Sequence, residues 1–107
     1  ADPKPALPTQ FVVDQNYPNP FNSSTIITFD LPREARIQLD IFDLEGALTF
    51  SQNEGIKAPG EYAISLDFNK ITGKSHPTGM YYYRLVAYPT TQSGTLMQSV
   101  RRMLLIK

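Results

Sequence analysis

The sequence predicts an all-β fold, a seven-stranded immunoglobulin-like antiparallel β-sandwich. Three observations predict it. Apolar and polar residues alternate with period two in several separate stretches. Turn residues break the chain at roughly 8–12 residue spacing. No window carries the 3.6-residue period of an amphipathic helix.

The elements follow in chain order. Residues 1–10 hold Pro3, Pro5 and Pro8 and little that can pack, so they read as an extended, Pro-rich linker. The missing start Met suggests a piece of a longer chain. The folded domain is expected to run from 11 to 107, with Phe11-Val12-Val13 as a short first strand. The segment Asn16-Tyr17-Pro18-Asn19-Pro20-Phe21-Asn22 cannot be helical. Its prolines fix the backbone, and its asparagines can bond turn groups that lack ladder partners. It is expected to clamp the start of the fold with buried amides, that of Asn19 included. Ile27, Phe29 and Leu31 then share a face until Pro32 stops the strand.

Ile37, Leu39 and Ile41 alternate with Arg36, Gln38 and Asp40, the cleanest period-2 run in the chain. Asp43-Leu44-Glu45-Gly46 reads as a turn. Leu48 and Phe50 suggest a short strand, both pointing inward, followed by a loop from Asn53 to Gly60. Tyr62, Ile64, Leu66 and Phe68 alternate in the next strand, and Asn69 to Gly79 is a long connection. Met80 to Tyr88 is the most aromatic strand, with Tyr81, Tyr83 and Leu85 inward. In sandwiches a tyrosine at the position of Tyr81 bonds its hydroxyl back across the corner. Thr95 to Ile106 closes the fold. Met103 and Leu105 face inward there, while Arg102, Leu104 and Ile106 face outward.

Composition bounds the chemistry. A chain of 107 residues is one domain. Ten basic residues balance ten acidic ones, which argues against a nucleic-acid partner. No apolar run approaches the ~20 residues of a membrane span, so no transmembrane segment is expected. The absence of Cys removes thiolate catalysis, disulfides and thiolate metal sites. His76, the sole histidine, lies in a Pro/Gly loop without a nucleophile and reads as a surface residue. Asp40, Asp43 and Glu45 lack the spacing of a calcium loop, and Asp43 fits better as a turn-former. Neither a metal, a cofactor nor a catalytic residue is expected, and no enzyme activity. Tyr82, Arg84 and Tyr88 fall on one outward stripe. That stripe keeps open the alternative of an accessory adhesion or carbohydrate-binding module. Asn22-Ser23-Ser24 matches a glycosylation sequon, a weak signal.

Five short stretches, taken in order, resemble the C-terminal sorting domain of cargo proteins exported by the bacterial type IX secretion system. They are the Asn16–Asn22 segment, Asp43-Leu44-Glu45-Gly46, Gly60-Glu61-Tyr62, Gly79-Met80-Tyr81 and Arg102-Met103-Leu104-Leu105-Ile106-Lys107. The likeness covers about Phe11 to Lys107. His76 stands where the family usually has Leu, with Ile71 expected to take over the buried role. Arg101-Arg102 replaces a common lysine pair. The opening is also similar to the immunoglobulin-like domain of flagellar hook-capping proteins.

The resemblance implies a non-catalytic secretion signal that directs a larger cargo through the outer membrane. Removal by a sorting peptidase and surface anchoring or release typically follow. It implies partners in the type IX machinery, that peptidase among them, and a cargo domain N-terminal to this one. It places the protein in the periplasm in transit, then at the outer-membrane surface or outside the cell. Sorting is assigned by resemblance to Arg102, Met103, Leu104, Leu105, Ile106 and Lys107. The structural motif is assigned to Asn16, Pro18, Asn19, Pro20, Phe21, Gly79 and Tyr81.

Overall fold

Alternating burial makes the sheets. In Ser24–Leu31 (β2), Thr25, Ile27, Phe29 and Leu31 are buried and the residues between them are not. Ala35–Phe42 (β3) buries Ala35, Ile37, Leu39 and Ile41 on one face, and Asp40 is buried on the other. Gly79–Pro89 (β6) buries Tyr81, Tyr83, Leu85 and Ala87. Each strand therefore carries one apolar face, and two such faces can exclude water only by packing together. The structure, a computed structural model, describes residues 7–72, 77–92 and 94–106, leaving aside the side chains of Ile71 and Thr72. The expectations placed on residues 1–6, Ile71, His76 and Lys107 lie outside the described residues.

The remaining elements are Val12–Val13 (β1), Leu48–Lys57 (β4), Gly60–Asp67 (β5), the short helix Phe68–Thr72 (α1) and Met97–Leu105 (β7). One sheet has the order β1-β2-β5 and the other β4-β3-β6-β7, and every pairing within them is antiparallel. This is the expected all-β sandwich of seven strands. The core lies between the sheets and is contributed by both.

Three local expectations are corrected. Leu48 does not point inward: it is 57% exposed. The β3–β4 ladder shifts register between Ile41 and Phe42, so Phe50 sits opposite Ile41 while Leu48 sits opposite Phe42 on the outer face. A bulge of this kind re-aims one side chain without breaking the strand. Secondly, β4 does not end near Phe50 but runs on to Lys57. Asn53 Oδ1 accepts from Gly55 N at 2.8 Å, and a second register shift absorbs the extra residue, so the ladder continues through Ile56. Thirdly, Phe68 is not the end of a strand. Asp67 Oδ1 accepts from Asn69 N at 3.0 Å and starts a helix of 5 residues at Phe68. The turn at Asp43 has the expected form: Asp43 Oδ1 accepts from Ala47 N at 2.8 Å, and Gly46 takes φ +87°.

Candidate recognition surface

The opening segment runs along the outer edge of β7. Tyr17-Pro18 and Asn19-Pro20 are cis. Phe21 N donates to Leu104 O at 2.9 Å and Ile106 N donates to Phe21 O at 2.8 Å, a parallel bridge between Phe21 and Leu105. Asn19 Oδ1 accepts from Leu104 N at 3.0 Å. Gln15 Nε2 donates to Arg102 O, and the Arg101 guanidinium donates across the sandwich to Val13 O. The edge of β7 from Arg102 to Ile106 is thus covered by the chain's own opening segment.

Leu105 is where the separated sequence stretches meet. Gly79 pairs with it from β6, and Phe21 bridges it from the other side. The Phe21 ring meets Phe68 edge-on with centroids 5.1 Å apart, and Phe68 meets Tyr81 at 5.4 Å. The Tyr81 hydroxyl donates to Pro77 O at 2.8 Å, tying down the corner before β6. Gly79 has φ +155°, a conformation that L side chains rarely adopt.

A buried polar cluster anchors the segment. Asn16 is 2% exposed; its Nδ2 donates to Pro18 O at 3.1 Å and to Thr25 Oγ1 at 3.0 Å. Thr25 Oγ1 itself donates to Pro18 O at 2.9 Å. The hydroxyl of Tyr83 accepts from Asn16 N at 2.9 Å and donates to Asp14 O at 2.8 Å. Burial raises the pKa of this hydroxyl; the bond from Asn16 N and the charge of Arg101 only partly offset it. The buried amide is therefore that of Asn16, while Asn19 is exposed. Sequence reading missed Gln15, Thr25, Tyr83 and Phe68 as clamp residues. Their partners are up to 87 residues away, and no local signal reports that.

The residues assigned to sorting divide by face. Met103 and Leu105 are buried in the core, Leu104 is half-buried, and Arg102 and Ile106 are exposed. The outward stripe on β6 is occupied by guanidinium groups. Arg36 lies 4.3 Å from the Tyr88 ring centroid and Arg84 lies 4.9 Å from that of Phe42. Arg84 also pairs with Asp40 at 2.8 Å. Burial alone would raise the Asp40 carboxyl, but bonds from Ser51, Arg84 and Gln38 and the charge of Arg84 outweigh it and lower the pKa. A sugar ring seeking that face of Tyr88 would have to displace Arg36.

Three stretches far apart in sequence thus close on one strand end of the sandwich. The chain belongs to the family of secretion-system C-terminal sorting domains, whose model matches residues 15–98. It is a C-terminal sorting domain of type IX cargo, a secretion signal. Membership implies contact with the secretion machinery and export through the outer membrane, and domains of this family are typically non-catalytic. The fold is similar to part of dimeric latent PorU from Porphyromonas gingivalis, with a TM-score of 0.67 and 21% identity. The match covers 91% of this chain and 9% of that one, a likeness of fold alone. No curated protein matches the chain. The stretch from Ser99 onward, with all six residues assigned to sorting, lies beyond the matched span.

Proposed function

We propose that the domain is the export address of a larger cargo protein, and that the address is read from the folded end of β7. Arg102, Leu104 and Ile106 are the side chains offered to a receptor, with Lys107 following them in sequence. Met103 and Leu105 hold that strand in place by packing inward. The clamp of Asn16, Pro18, Asn19, Pro20 and Phe21 fixes its edge, and Gly79 and Tyr81 fix its other neighbour. The partners are the type IX machinery at the outer membrane, including its sorting peptidase, and a cargo domain preceding residue 11. Residues 1–10 are the linker where that peptidase cuts. The cargo passes through the periplasm and ends at the outer-membrane surface or outside the cell.

The convergence of Phe21, Gly79 and Leu105 carries this reading, because it spends three separate motifs on holding one strand end. The test fuses the chain to a neutral passenger in a bacterium with the type IX machinery. Arg102→Glu and Ile106→Asp alter exposed groups and should leave the melting temperature unchanged while the passenger stays in the periplasm. Deletion of Leu104–Lys107 should also abolish export. Normal export of the two folded point variants would show that this face is not what the receptor reads.

A further inference from the structure

Antiparallel sheets end in edges, and a regular edge is a template for another strand unless something blocks it. Among the described residues, three of the four outer strands are short, partly covered or interrupted. β1 is 2 residues long. β7 is covered from Arg102 to Ile106 by the opening segment. β4 is broken by two register shifts. β5 has none of these protections. It pairs with β2 through eight uninterrupted residues, from Gly60 to Asp67, and contains neither Pro nor Lys. Phe68 N donates to Ser23 O, which sets the phase of that ladder. The backbone groups of Glu61, Ala63, Ser65 and Asp67 therefore point away from β2.

The chemistry beside this edge selects an occupant. Asp14, Asp30, Glu61 and Asp67 lie on the outer face of the three-stranded sheet. Lys70 lies near Asp67, Arg101 reaches Val13 O beside Asp14, and Lys57 Nζ stands 5.1 Å from the centroid of the Tyr62 ring. Asp30 stands directly opposite Glu61, like charge against like, and neither forms an ion pair among the described residues. On the inward side, Tyr62 of β5 and Phe50 of β4 are only partly buried against the core. A second copy of the chain would bring the same acidic side chains to the seam. In the two-fold register that pairs Ala63 with Ser65, Glu61 falls opposite Asp67.

We propose that the β5 edge is a strand-addition site for an extended segment of a partner protein, alternately cationic and apolar. Its cationic side chains lie beside Asp30, Glu61 and Asp67, and its apolar ones cover Tyr62 and Phe50. Main-chain bonds to Ala63 and Ser65 supply the register. The site is separate from the end of β7, so it stands or falls independently of the sorting face.

The test uses the full chain and a synthetic peptide alternating lysine and valine, read by amide hydrogen exchange. The amides of Ala63 and Ser65 should slow by about tenfold or more, and those of Ile64 and Leu66, already bonded to β2, should not change. A peptide alternating glutamate and valine should give no protection. Ala63→Lys places a cation on an exposed edge position and should abolish the effect without harming the fold; Ala63→Pro should do so by removing the donor. Equal protection by both peptides, no protection by the lysine peptide, or full protection of Ala63→Lys would overturn the proposal.

Discussion

Replacing Tyr83 by Phe deletes one oxygen from the centre of the clamp and leaves the ring in place. The side chain is 0% exposed, so its apolar burial is unchanged. Two bonds disappear: the one accepted from Asn16 N at 2.9 Å and the one donated to Asp14 O at 2.8 Å. Asn16 is buried, so its N–H is left without a partner and water has little access to it. An orphaned buried donor costs about 1–3 kcal/mol. For a domain of this size each kcal/mol lowers the melting temperature by roughly 4–8 °C. The expected loss is therefore about 2 kcal/mol and roughly 8–16 °C, measured by urea and thermal unfolding. Hydrogen exchange should localise the change, with the amides of Phe21, Leu104 and Ile106 losing protection before those of β3. A loss below about 0.5 kcal/mol, in the range of a neutral surface change, would refute the claim that this hydroxyl anchors the segment.

Asn16→Ala should cost about 1–2 kcal/mol, whereas Asn19→Ala, at an exposed position, should cost less, a ranking that urea midpoints will check. Leu48→Ser should be near neutral, within about 0.5 kcal/mol, while Leu39→Ala in the core should cost about 2–5 kcal/mol. Stability should also fall at high pH. Burial raises the Tyr83 hydroxyl in the folded state, so its contribution is full below about pH 10 and is lost as pH climbs toward the folded value. Tyr83→Phe should flatten that slope in pH-dependent urea unfolding. The Asp40 carboxyl is lowered instead, so its contribution is present above about pH 4 and lost as pH falls through the folded value. Asp40→Asn should remove that part of the acid sensitivity. Mild proteolysis should trim the chain ahead of Phe11 and stop, because Val13 is buried and bonded into the sheet.

The alternation in β2, β3, β6 and β7 was readable because it is a local property. With side chains on opposite faces at successive residues, one apolar set per strand fixes which face goes inward. Asp43 and Gly46 were readable for the same reason, since a turn is decided by the residues inside it. The period failed where a ladder slipped. Leu48 and Phe50 share a face in an ideal strand, but the partner strand, not β4 itself, places the bulge that separates them. The α1 start at Asp67 was visible only as a single capping residue inside an alternating run, too little to outweigh the pattern around it.

The sequence by itself determined most of the sheet-forming strands, the absence of thiol chemistry, and the motif order that marks the family. Tertiary structure alone decided what those motifs do together. Phe21 and Leu105 are far apart along the chain and touch only because the opening segment returns to the edge of β7. The buried amide fell to Asn16 rather than Asn19 because Pro18 O and Thr25 Oγ1 accept from its Nδ2 while Tyr83, from the opposite sheet, holds its backbone N. The acidic face also needed the fold, since a chain of zero net charge gives no hint that Asp30 and Glu61 stand side by side. Pairing across strands is a long-range choice, set by register and loop closure. Local residue patterns constrain it without stating which partners meet.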